Sequence, residues 1–125
     1  MTRTTTKTFT LFDSVSVDGR SESMRVADYK HVTFKITGTN NPDMTVFVYG
    51  DINNEVENPA VVPCPIGCYD YNTSLFIAGS TGVSLGADGE TLYTVNVDGI
   101  KWLQFEVANY VAGNVTLEVQ MYNND

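Results

Sequence analysis

Two cysteines, Cys64 and Cys68 in the stretch CPIGC, are the first residues in this chain that could do chemistry. A structural thiolate site usually takes four ligands. This chain offers two thiols and one distant imidazole, His31, so no metal is expected. A disulfide across the bend at Pro65 and Gly67 would close a loop so small that it removes little unfolded-state entropy. Two reduced, partly buried thiols are the expected state of a protein that assembles in a cytoplasm. His31 has no nucleophile at a recognisable spacing, and no Gly-x-Ser-x-Gly elbow is present. Asp43, Asp51, Glu55, Glu57 and Asp70 gather around turn-rich stretches without the Asp-x-Asp-x-Asp-Gly spacing of a calcium hand. They read as solvated acids, with a loop calcium site as the alternative. With no defensible acid–base pair or nucleophile, the chain is not expected to be an enzyme, and no cofactor is expected. Asn72-Thr73-Ser74 and Asn114-Val115-Thr116 match the glycosylation acceptor, which carries no weight without an export signal.

Aromatic residues are the other candidates. Tyr69 and Tyr71 flank Asp70 beside the cysteines. Exposed, they would suit a sugar- or protein-binding loop. The favoured reading is that they tuck the loop onto a sheet.

The elements that must position these residues are strands. Val32, Phe34 and Ile36 alternate with His31, Thr33 and Lys35, and Leu103, Phe105 and Val107 alternate with Trp102, Gln104 and Glu106. Turn formers punctuate the chain at Asp18-Gly19, at GTNNPD (38–43), at GSTGVSLGADGE (79–90) and at Ala112-Gly113-Asn114. Residues 51–73 carry three prolines and no long alternation. They read as a long loop, with a short edge strand at Ala60–Val62. No segment has helix period. About eight short strands predict an all-β fold, a two-sheet antiparallel β-sandwich with either jelly-roll or immunoglobulin-like order.

The stretch Val97–Tyr122 has a weaker twin. Shifted by 71 positions, Val26–Tyr49 lies under it without a gap, Phe34 on Phe105, Lys30 on Lys101 and Val48 on Val119. Two similar halves follow, each read as a hairpin. Phe34 and Phe105 should then be equivalent core residues. In the second hairpin Val107 would face Val115 and Trp102 would lie across from Gln120, with Tyr122 a diagonal neighbour. In the first, His31 and Thr33 would lie opposite Tyr49 and Phe47. Large aromatics on these outward faces, Phe47, Tyr49, Trp102 and Tyr122, become candidate partner-binding residues beside Tyr69 and Tyr71.

At 125 residues the chain is one domain. Its net charge of −8 argues against a nucleic-acid partner. No apolar run is long enough for a membrane span, and the start MTRTTTKTFT has no signal-peptide core. Charge is uneven: residues 1–35 hold six bases and four acids, and the remainder holds Lys101 and eleven acids. Residues 1–8 are polar and free of acids. They are expected to be a flexible or docking arm ahead of a domain over 9–125, with Arg3 and Lys7 as contacts to an acidic partner.

The second half runs Val95-Asn96-Val97-Asp98-Gly99-Ile100, then Leu103-Gln104-Phe105-Glu106-Val107, and closes with Ala112-Gly113-Asn114-Val115-Thr116-Leu117. The first half fits from Tyr29 to Thr39, including Ile36-Thr37-Gly38-Thr39. This resembles a group of bacteriophage virion β-sandwiches of the capsid-decoration, head-fibre and tail-associated type. The chain departs from them in the middle, where Gly50-Asp51-Ile52-Asn53-Asn54 and the CPIGC loop replace their Ser-x-Asp-Gly-x-Trp turn. The resemblance implies a non-enzymatic structural component located in the virion and assembled in the host cytoplasm. Its implied partners are the major capsid protein or other virion proteins, and further copies of itself in a homo-oligomer. The alternatives are a carbohydrate- or receptor-binding module and a tail-associated structural protein.

Overall fold

Two very long strands dominate the computed structural model, which describes residues 4–52 and 64–124. They are β4 (His31–Asp51) and β10 (Trp102–Asn124). Each contains most of one twin segment, from His31 and from Trp102 onward. They pair with each other along nearly their full length, antiparallel, from Trp102 opposite Asp51 to Tyr122 opposite His31. The two-hairpin reading is therefore overturned. Val107 lies opposite Val46 rather than Val115, and Trp102 opposite Asp51 rather than Gln120. His31 and Thr33 lie opposite Tyr122 and Gln120, not Tyr49 and Phe47.

The ribbon cannot be straight. Val48 pairs with Phe105, and Phe34 lies 14 positions before Val48 on the same strand. At about 3.3 Å per residue that is about 46 Å of extended chain. Yet the rings of Phe34 and Phe105 meet edge-on with centroids 5.0 Å apart. The ribbon folds over on itself, and the fold lies where both turn-rich stretches sit. Pairing slips between Ala108 and Asn114. Asn40, Asn41, Asn109 and Gly113 there all have positive φ, a region that Asn and Gly tolerate. Asn40 Nδ2 donates to Asn114 Oδ1 at 2.7 Å across the corner. Pro42 packs so close to Gly113 that a Cβ there would strike its backbone. The residues that would reverse a chain here bend a ribbon instead.

The corner splits one hydrogen-bonded sheet into two facing layers. The first layer holds β1 (Thr4–Val15), the C-terminal half of β10, the N-terminal half of β4, β9 (Gly89–Asn96), β6 (Cys68–Asp70) and β7 (Phe76–Ile77), in that order. The second holds β2 (Gly19–Arg20) and β3 (Met24–Arg25) on one side of the remaining half of β10. The remaining half of β4 lies on its other side, followed by β5 (Cys64–Pro65) and β8 (Val83–Leu85). This is an all-β, antiparallel sandwich of ten strands. Among the described residues four of the ten are two-residue pieces, and β4 and β10 each fuse two of the expected strands. From Thr4 onward the expected N-terminal arm forms the start of β1, with Thr4 to Thr8 paired to Asn124 to Gln120.

The core follows the sequence alternation. Val32, Phe34, Ile36, Met44, Val46 and Val48 of β4 are buried, as are Leu103, Phe105, Val107, Val115, Leu117 and Val119 of β10. These are the same positions in the two twins. The pairing is symmetric as well. Val46 pairs with Val107, and their counterparts 71 positions away, Leu117 and Ile36, pair with each other. A pseudo-two-fold thus runs through the corner, and Phe34 and Phe105 meet as its equivalents.

Candidate interaction surfaces

Strand alternation turns Phe47 and Tyr49 of β4, and Trp102, Gln104 and Glu106 of β10, away from the core on the second layer. Register places Tyr49 beside Gln104, Phe47 beside Glu106 and Trp102 between Asp51 and Arg25. A polar frame holds the aromatics. Tyr49 Oη donates to Glu106 Oε1 at 2.8 Å, and Arg20 Nε donates to Glu106 Oε2 at 3.2 Å. The Arg20 guanidinium carbon lies 5.1 Å from the Tyr49 ring centre, within cation–π range. Burial raises the Tyr49 pKa. The hydrogen bond to the Glu106 carboxylate and its charge raise it further, against a smaller opposing effect of Arg20.

Gln104 is buried although it sits on the outward face, because the segment around Ser21 closes over it. Its Nε2 donates to Ser21 O at 2.9 Å, and the Phe105 amide donates to Ser21 Oγ at 3.0 Å. Its Oε1 and the half-buried Trp102's Nε1 are shielded from solvent and find no partner among the described residues. Each such orphan costs about 1–3 kcal/mol.

The other candidates lie elsewhere. Tyr122 is on the outer face of the first layer, stacked on His31 with centroids 5.4 Å apart. Tyr69 and Tyr71 are at the far edge of that layer and are 50% and 53% exposed. Leu75, Phe76 and Leu92 are exposed as well, and the Tyr69 and Phe76 rings lie 5.1 Å apart. Sequence reading did not single out these three as surface residues. Leu92 had a visible signal, being out of phase with Tyr93 and Val95 in its strand. Of Lys7 only the backbone is described, opposite Met121. Arg3, Glu55, Glu57 and the expected strand at Ala60–Val62 lie outside the described residues.

Chemistry by thiols or acids finds little purchase. Both cysteines are free. Cys64 is exposed rather than partly buried, and Cys68 is buried. Burial, with a smaller effect of Asp70, pushes the Cys68 thiol up to about 11. Among the described residues no three His, Cys, Asp or Glu side chains converge. Asp70 is occupied in its own turn, where its Oδ1 accepts from the Asn72 amide at 2.7 Å.

No protein-family model matches the chain, and neither does any curated protein. Solved structures do. SPBc2 prophage-derived protein YomS superposes with a TM-score of 0.78 at 15% identity, covering 98% of this chain and 97% of YomS. The PBSX exported protein XepA gives 0.72 at 12% identity, covering 96% of this chain, which spans 38% of XepA. The K3 cleaved adhesin domain of Lys-gingipain from Porphyromonas gingivalis W83 gives 0.53 at 10% identity, over 93% of this chain and 72% of that one. The chain thus shares its fold, end to end, with a phage-derived protein.

Proposed function

We propose that this protein is a non-enzymatic structural component of a phage particle, a capsid decoration or head-fibre protein. In this reading it resides in the virion, binds the major capsid protein or a neighbouring virion protein, and assembles with further copies of itself. The observation that carries this reading is the end-to-end match to prophage-derived YomS, in which neither chain has a large unmatched part.

The docking face we assign is the outer surface of the second layer. Phe47, Tyr49 and Trp102 share that face, and Arg20 and Glu106 hold Tyr49 in place. Preorganised aromatic side chains are favoured anchors because little freedom is lost when they bind. The acidic remainder of the chain repels like surfaces and keeps the particle soluble.

Mass spectrometry of purified particles is the direct test, followed by a particle reconstruction. Stoichiometric presence in the virion, with density over the Trp102 face in contact with another subunit, is the expected result. A particle without this chain would overturn the reading.

A further inference from the structure

We infer that the outer face of the first layer carries a groove for a neutral oligosaccharide, with the Tyr71 ring as its stacking platform. The groove goes beyond the structural role, and it lies on the opposite layer from the docking face.

Register lays out its floor. Glu118 of β10 lies opposite Lys35 of β4, and Lys35 lies opposite Leu92 of β9. The Tyr71 amide then donates to Leu92 O at 3.0 Å. Tyr71, Leu92, Lys35 and Glu118 therefore form a row across adjoining segments, about 4.8 Å apart at each step. A cleft of about 480 Å³ is lined by Lys35, Tyr71, Asn72, Glu90, Thr91 and Leu92. A second, of about 160 Å³, shares Lys35 and Leu92 and continues toward Thr8, Thr33 and Gln120. The two together form an elongated groove, which suits a chain of sugar rings better than a single one.

The lining chemistry selects the ligand. A half-exposed tyrosine ring offers a flat apolar face to the C–H side of a pyranose. Around it stand an amide, carboxylates, an ammonium group and hydroxyls, the donors and acceptors that hydroxyl-rich rings need. Anionic ligands are disfavoured. Among the described residues lining the two clefts Lys35 is the one cation, and its Nζ already pairs with Glu118 Oε1 at 3.3 Å, while Glu90 adds a further negative charge.

The platform is rigid before any ligand arrives. Asp70 Oδ1 accepts from the amides of Asn72 and Thr73, and Asp70 O accepts from the Ser74 amide. The Asp70 amide donates to Leu75 O at 3.0 Å. Tyr71 and Asn72 thus sit on a locked turn, so little conformational freedom is lost on binding.

The test is an NMR titration of the whole chain with neutral tetrasaccharides of glucose, galactose and N-acetylglucosamine. At least one should shift the amides of Tyr71, Asn72, Leu92 and Lys35 with a Kd of about 1 mM or below. Tyr71→Ala should weaken that binding roughly tenfold, the cost of about 1.4 kcal/mol, with an unchanged melting temperature. Asn72→Ala should weaken it by a smaller factor. The inference is overturned if no sugar in the panel shifts these amides, or if the shifts survive Tyr71→Ala. It is equally overturned if a virion protein, and no sugar, maps to the same residues. None of these outcomes alters whether the protein is found in particles, so the structural role is judged separately.

Discussion

Truncating Phe34 and Phe105 tests the pseudo-symmetric fold most sharply. Each is fully buried, and the rings meet at 5.0 Å in an edge-on arrangement. Phe→Ala at either position should cost roughly 3–5 kcal/mol. Domains of this size have about 5–15 kcal/mol in total, so a double alanine variant would unfold. Leucine is the better probe. It removes three ring carbons at about 0.8 kcal/mol each, so each single variant should lose about 2.4 kcal/mol before repacking. Phe34 also stacks on Tyr93 at 5.2 Å, a contact that Phe105 is not seen to make. Phe34→Leu should therefore be the costlier change by about 1 kcal/mol. Because the rings touch, the double variant should cost less than the sum of the singles by roughly 0.5–1.5 kcal/mol. Urea unfolding monitored by Trp102 fluorescence gives all four free energies at unchanged slope. Additivity to within about 0.3 kcal/mol would mean that the rings do not meet and that the ribbon does not fold over as described. A loss below about 1 kcal/mol at either site would mean that the inward and outward faces are exchanged.

Trp102→Ala should leave the domain folded, with at most about 2 kcal/mol lost, because the ring is only half-buried, and it should abolish particle binding; normal binding would remove this face from the docking surface. A maleimide should label Cys64 rapidly in the native protein and Cys68 only on unfolding, as mass spectrometry of quenched samples would show; equal rates would contradict the burial difference. The raised Cys68 pKa gives a pH dependence with a defined sign. The folded state holds that proton more tightly, so the stability it contributes is complete below about 9 and is lost as pH rises toward about 11. Cys68→Ser should flatten that part of the alkaline melting curve. Deleting residues 1–8 removes the backbone ladder from Thr4–Asn124 to Thr8–Gln120. At about 1 kcal/mol per hydrogen bond this should cost a few kcal/mol, and an unchanged melting temperature would show that this end of β1 adds nothing to the domain.

The face assignment was legible in the sequence because burial has period two and the two twins keep step over it. Every inward position expected in β4 and β10 is buried. Pairing was not legible. Asn40, Asn41 and Gly113 adopt positive φ in a bend as readily as in a hairpin turn, so local composition cannot separate reversal from folding-over. The distinction lies in contacts between residues far apart in sequence, such as Ile36 with Leu117 and His31 with Tyr122. Only the ungapped twin hinted at these: equal strand lengths on either side of equal turns allow the halves to pair with each other. The surface was legible in part. Phe47, Tyr49 and Trp102 were found by alternation, but Arg20 and Glu106, which hold Tyr49, lie 86 positions apart. Tyr69 and Tyr71 were noticed, but the bonds by which Asp70 holds the Asn72 and Thr73 amides were not visible in the sequence.

The twins agree inside and disagree outside, and this argues for two different faces. Phe34 and Phe105, Val48 and Val119, and Ile36 and Val107 are equivalent and buried. The outward equivalents have parted: His31 with Trp102, Thr33 with Gln104, Lys35 with Glu106, Phe47 with Glu118 and Tyr49 with Gln120. On the second layer this leaves three large rings, Phe47, Tyr49 and Trp102, with Glu106 held by Arg20. On the first it leaves an ion pair between Lys35 and Glu118, flanked by hydroxyls and amides. Solubility alone would be served by polar residues on both faces, and self-association through the pseudo-dyad by aromatics on both. The chain does neither: Phe47, Tyr49 and Trp102 share the second layer, while the first mixes the Lys35–Glu118 pair with the His31–Tyr122 stack and the exposed Tyr71 and Leu92. The two outer faces therefore differ in chemistry and suit different partners. Exchanging the outward sets is therefore informative: Phe47→Glu with Tyr49→Gln should abolish particle binding and leave sugar titrations unchanged. Loss of both activities together would show that the two faces are not independent.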